Sequence, residues 1–217
     1  MDSFVVGAAV FAGFLFSVVV HECAHGLVAL WLGDPTARDQ GRITLDPLRH
    51  IDPIMSILVP LMLWLSGLPM FGGAKPVPVD MTRLRRPFLD MMWVALAGPV
   101  ANLLLAAVFA VCLNGVPLAS QARPEFADKL LLVIVQIVLL NVYLALFNLL
   151  PIPPLDGGRI AAGLLPSRIA IHFYRHEIQV LGLGLVMFLA MSGKTAFLGP
   201  WTEQLTKWIV HIATWIN

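Results

Sequence analysis

Charge is scarce in this sequence. Lys, Arg, Asp and Glu together make up 12% of its 217 residues and leave a formal net charge of +1, where an ordinary soluble domain is about one quarter charged. So small a net charge gives no basis for binding nucleic acid. Cysteine is nearly absent: Cys23 and Cys112 both lie in apolar runs, which excludes a disulfide framework. Internal repeats, low-complexity tails and polar linkers are also missing, so no separate regulatory domain is expected. What remains is a single unit over 1–217, too short for a membrane core plus a large soluble domain.

Apolar residues fill the space that charge leaves. They are 59% of the chain, and the mean hydropathy is +0.84. Runs of about 20 apolar residues are candidate membrane spans, and four are clear: Ser3–Leu32, Pro53–Phe71, Met91–Leu113 and Leu130–Leu150. Leu181–Met191 is shorter, and Trp201–Trp215 reads as amphipathic. The first run is too long, and ends too polar, for a cleaved signal peptide. Arg38, Arg42 and Arg49 precede Pro53–Phe71, and Lys75, Arg83, Arg85 and Arg86 follow it. The positive-inside rule assigns both clusters to the cytoplasmic side, so Pro53–Phe71 is expected to be a re-entrant hairpin turned at Pro60 and Gly67–Pro69. Gly41–Leu45 alternates like a short strand, and Gly72–Val79 reads as a loop or edge strand. The expected fold is an all-α polytopic membrane protein. Three crossing helices form its core, joined by the hairpin segment with short β-strands and by additional C-terminal helices. The catalytic core is expected over about 3–165 and the C-terminal helices over about 166–217.

Inside the first apolar run stands His21-Glu22-Cys23-Ala24-His25. Residues four apart share a helix face, so both histidines can point at one metal ion. Glu22 is rotated from them by about 100°, placed to reach a water rather than to ligate. Cys23 is turned off the ligand face. A catalytic zinc takes three protein ligands and keeps a position open, so one more ligand is needed. Most carboxylates fall in polar loops. Asp156 instead ends an apolar stretch in Asn148-Leu-Leu-Pro-Ile-Pro-Pro-Leu-Asp156-Gly-Gly-Arg159. The prolines there prevent a continuing helix, and Gly157-Gly158 permits a sharp turn. Asp156 is the favoured third ligand, with Asp52, His50 and Asp34 as weaker candidates. Ionisable groups at membrane depth are rarely there without a function.

These residues resemble the site-2 protease family of intramembrane zinc metalloproteases. The matching motifs are His21-Glu22-x-x-His25, Gly98-Pro99-x-x-Asn102 and Asn148-x-x-Pro151-x-x-Pro154-Leu155-Asp156-Gly157. With Gly41–Pro53 and Phe71–Asp80 the resemblance covers most of residues 10–165, and it is to the small prokaryotic branch without a PDZ or cystathionine-synthase-type domain. The last 50 residues carry no matching motif. The resemblance implies one Zn2+ per chain held by His21, His25 and Asp156, with Glu22 activating water. It implies peptide-bond hydrolysis in transmembrane or membrane-proximal segments, for regulated proteolysis or signal-peptide clearance. It also favours Asn102 as a donor to the substrate backbone or oxyanion, against an interhelical polar bond; Asn148 carries the same two readings.

The expected partners are a membrane-embedded peptide or protein substrate and the lipid bilayer. The expected location is a prokaryotic cytoplasmic membrane, with the site facing the cytoplasm. No pattern in the sequence sets the oligomeric state. An unwound substrate could add as a strand to Gly41–Leu45 or Lys75–Val79. The runner-up function is a zinc-dependent membrane binding or chaperone module that does not cleave, which has no use for Glu22. A transporter would need a polar path through the outer half of the membrane, where Val5–Phe16 and Leu103–Val111 offer none. His172 and His176, four apart beside Arg175, read as a solvated interfacial face.

Overall fold

The computed structural model describes residues 2–58, 62, 65, 74–117 and 123–215. Three long helices form its frame: α1 (Asp2–Trp31), α3 (Pro87–Cys112) and α4 (Pro124–Asn148). Between α1 and α3 lies a single short turn of helix, α2 (Thr36–Asp39). After α4 come α5 (Asp156–Leu164), α6 (Ser167–Phe173), α7 (His176–Met191) and α8 (Leu198–Trp215). Helices α1, α3 and α4 are each long and apolar enough to cross a bilayer; at 1.5 Å per residue α1 is about 45 Å long. A bend of 82° separates α7 from the final stretch Lys194–Trp215. Large apolar side chains point outward along the frame, among them Phe4, Phe11, Leu104, Val108 and Leu132. That surface is tolerable against lipid and costly against water.

Small residues let these helices approach. On α3, Ala95, Gly98, Asn102, Ala106 and Ala110 recur every three or four positions and are buried. Such a stripe permits close backbone contact inside a membrane. Gly13 of α1 lies against Ile137 of α4 so closely that any Cβ would collide. Both α3 and α4 start with proline as the first residue, where a missing N–H costs nothing. The buried Asp90 carboxylate accepts from Arg86 N at 2.8 Å and closes the first turn of α3. These prolines explain why α3 and α4 begin four and six residues before the apolar runs at Met91 and Leu130.

The short β-strands are not found. Among the described residues there is no strand at all. Residues 41–45 form a turn and bends, entered through Gly41 at φ +62°. Residues 74–80 have no regular secondary structure and pair in no ladder. The physical reason lies in the donors. Pro76 and Pro78 have no N–H, and Arg42 Nη2 donates to Lys75 O at 2.8 Å, taking a carbonyl that a neighbouring strand would need. The hairpin expected over Pro53–Phe71 falls mainly outside the described residues; Pro53–Leu58 is a short π-helical turn.

Candidate metal centre

His21 and His25 lie on the buried face of α1, near its C-terminal end. The chain leaving α4 delivers Asp156 to the same place. Helix α4 stops before Pro151, the segment Leu149–Leu155 doubles back, and Asp156 is the first residue of α5. Gly157 makes this fit possible, because a Cβ there would strike the backbone of Leu149 and Leu150. The three side chains are buried, and the atoms they could offer to a metal ion lie within 4.8 Å of one another. Asp156 Oδ2 is 3.2 Å from His21 Nε2 and 3.3 Å from His25 Nε2, and the two Nε2 atoms are 3.0 Å apart.

This donor set fits a cation. His25 Nδ1 faces the Val94 carbonyl at 2.7 Å. A carbonyl only accepts, so Nδ1 carries the ring proton and Nε2 turns a lone pair toward Asp156. Asp156 Oδ2 is buried without a hydrogen-bond partner, an arrangement that costs free energy unless something positive receives it. Two imidazole nitrogens and one carboxylate oxygen are a common catalytic zinc set, with a fourth position left open.

Helix α3 forms the floor. A Cβ on Gly98 would sit 2.5 Å from Cε1 of both His21 and His25, so only glycine lets both ring edges come this close to the helix. Gly98→Ala is expected to displace both imidazoles and weaken zinc binding at least about tenfold, a loss comparable to removing an outer-shell partner. Competition against a chromophoric chelator measures it, and unchanged affinity would show that the rings have other room. Asn102, one turn further along α3, is fully buried. Its Oδ1 is 2.5 Å from His21 Nδ1, and its Nδ2 donates to Asn141 Oδ1 at 3.1 Å.

Glu22 is half-buried beside the cluster, and Oε2 accepts from the Val77 N–H at 2.8 Å. The 74–80 segment that supplies this N–H is pinned from both sides. Lys75 N donates to His50 O at 2.8 Å, while Arg42 holds the carbonyls of Lys75 and Pro76. The structure does not bring the weaker ligand candidates to the cluster. Asp34 is fully buried but staples loops, accepting from Thr36 N and Oγ1 and from Asp80 N. His50 Nε2 bonds Thr44 O, as does Cys23 Sγ. Asp52 accepts from Ile54 N. Asn148 donates to Leu144 O within its own helix.

Comparison with known proteins supplies the family. Residues 118–192 match the family described as Peptidase family M50; that stretch contains Asp156 and starts after the two histidines. The chain is 37% identical over 183 residues to "Putative zinc metalloprotease YwhC" of Bacillus subtilis (strain 168), covering 82% of this chain and 79% of that protein. The chain belongs to peptidase family M50. Another relative, "Putative zinc metalloprotease Rip2" of Mycobacterium tuberculosis (strain ATCC 35801 / TMC 107 / Erdman), is 36% identical over 211 residues, 95% of this chain and 72% of its own. No solved structure matches. The protein is thus a zinc metalloprotease, its cofactor is Zn2+, and its three long apolar helices make it an integral membrane protein. A purely binding role without hydrolysis falls away with that membership.

Sequence reasoning passed over three groups that stand around this cluster in the M50 chain. Asn141, on α4, is fully buried and is the partner of Asn102; Ser17, on α1, is the partner of Asn141. The third is a backbone group, the Val77 N–H. Ser17, His21 and His25 are spaced by four, which marks one helix face, and Asn141 is a rare amide in an apolar span. Those signals were available. A backbone donor leaves none.

Proposed function

We propose that this M50 peptidase is an intramembrane endopeptidase in which His21, His25 and Asp156 hold zinc and Glu22 is the general acid–base group. The observation that supports it best is the convergence of two imidazole nitrogens and an orphaned carboxylate oxygen inside a frame of apolar helices. Zinc bound there supplies a Lewis acid that polarises water and a carbonyl oxygen. Glu22 takes a proton from the attacking water and returns it to the departing amine nitrogen. Its Oε2 is anchored by the Val77 N–H, which leaves Oε1 for the proton. Asn102 is engaged at both ends, so we assign it to orienting His21 rather than to the substrate oxyanion. The hydrogen bond of Asn148 gives no support for a substrate role.

Orientation follows from charge. The C-terminal end of α1, the start of α3 and the end of α4 lie at the metal end of the frame, and Arg38, Arg42, Lys75, Arg83, Arg85, Arg86 and Arg159 cluster around these termini. The positive-inside rule turns that end toward the cytoplasm of a prokaryotic cell membrane. The substrate class is a transmembrane or membrane-proximal segment that unwinds near the metal, with 1–217 acting as one unit.

The test uses purified protein in liposomes with a single-span model peptide. Treatment with a zinc chelator is expected to abolish cleavage, and about one equivalent of added zinc to restore it, read as product fragments by mass spectrometry. Cleavage that persists through chelation would remove the metal mechanism. Cleavage confined to soluble peptides would remove the intramembrane part.

A further inference from the structure

The row of buried polar groups behind His21 has a direction, and its partners force that direction. Asn141 Nδ2 lies 2.9 Å from Ile137 O and 2.8 Å from Ser17 Oγ. The Ile137 carbonyl can only accept, so the amide nitrogen must face it; the reversed amide would set two oxygens against each other. Ser17 receives that donation and passes its own proton to Gly13 O at 2.8 Å. Asn141 Oδ1 is thereby left facing Asn102, where only Nδ2 can meet it. Asn102 must then turn Oδ1 to His21 Nδ1. That oxygen accepts, so Nδ1 holds the ring proton and Nε2 is left with a lone pair, directed at Asp156 Oδ2 and His25 Nε2.

We propose that Asn141 and Ser17 are positioning residues that set the tautomer and ring orientation of His21 through Asn102. This rests on the reading of His21, His25 and Asp156 as the zinc ligands. The two imidazoles are prepared differently. His25 is set directly by the Val94 carbonyl, whereas His21 is set by a relay that crosses α1, α3 and α4. Partners that fix a ligand histidine's tautomer act on metal affinity. Ser17, Asn102 and Asn141 are each fully buried, so no water replaces a lost partner cheaply. Simple polar adhesion between helices would stabilise the bundle but would not dictate which nitrogen of His21 is protonated.

The test compares Asn141→Leu, Asn102→Leu, the double variant and Ser17→Ala with wild type, all as purified full chains. Zinc affinity is measured by chelator competition. The His21 tautomer is read from 15N spectra of histidine-labelled, zinc-free protein, assigned by the signal lost in His21→Gln. Asn141→Leu is expected to weaken zinc binding 10- to 100-fold, as outer-shell losses do, and to introduce Nε2–H tautomer at His21. The double variant should bind no more weakly than Asn102→Leu alone, because both act through one imidazole. Ser17→Ala should lose only a few-fold, since Ile137 O still orients Asn141. Additive losses, or an Asn141→Leu protein with wild-type affinity and an unchanged tautomer, would overturn the proposal. If Asn141→Leu does not fold, Ser17→Ala decides by itself: unchanged affinity together with an unchanged His21 spectrum overturns it. Wild type that binds no zinc, or Asp156→Ala that binds it normally, would remove the metal-centre reading itself, whatever Asn141 does.

Discussion

Glu22→Gln is expected to leave the protein zinc-loaded and unable to cleave, with turnover reduced by about 10²- to 10⁴-fold, the range for a general acid–base group. The substitution keeps the size of the side chain and an oxygen that can still accept from the Val77 N–H. Glutamine is nearly as good a helix former as glutamate, so α1 should be undisturbed. Glu22 is outside the group of converging ligand atoms, which is why zinc should stay. What is lost is a group that can take and return a proton. Zinc per chain by elemental analysis, alongside single-turnover cleavage, separates the two effects. Cleavage near the wild-type rate would show that another group handles the proton.

Asp156→Ala should do the opposite and remove the metal along with the activity. The carboxylate supplies the single negative charge of the cluster, and its Oδ2 stands 3.2 and 3.3 Å from the two imidazole nitrogens. Zinc affinity is expected to fall more than about 100-fold, beyond the range of outer-shell substitutions. The fold should tolerate the change, because alanine fits the first turn of α5 and removes a buried charge that lacks a hydrogen-bond partner. Chelator competition and a thermal unfolding scan of the zinc-free protein test both halves. Full zinc occupancy in Asp156→Ala would transfer the third ligand elsewhere.

Much of the centre was legible because polar chemistry stands out in an apolar chain. His21, Glu22 and His25 interrupt a long hydrophobic run, and Asp156 ends another. The three crossing helices were legible for the same reason. The strand expected at Gly41–Leu45 was not found, because alternation predicts a face and not a partner. Among the described residues no neighbouring edge meets that segment, and Arg42 is drawn into the carbonyls of Lys75 and Pro76. At Lys75–Val79, Lys75 N, Lys75 O, Pro76 O and Val77 N are already engaged, which leaves fewer groups for strand addition of a substrate. The supporting amides were harder to see. An amide such as Asn141 in a span reads as helix adhesion until its neighbours show which end of the amide is used. Gly98 was visible as part of a motif, but its reason, two rings resting on bare backbone, is a matter of three-dimensional contact.

The floor of the centre is α3 itself, and its walls are α1 and the end of α4. The two histidines and their supports are thus shared among the same three helices that hold the frame together, and Asp156 opens α5 just beyond the end of α4. Separating α1 from α3 would pull His25 from Val94 and His21 from Asn102, and the ion would lose its seat. The candidate metal seat and the fold are therefore one block: whatever loosens the packing of these helices loosens the seat with it.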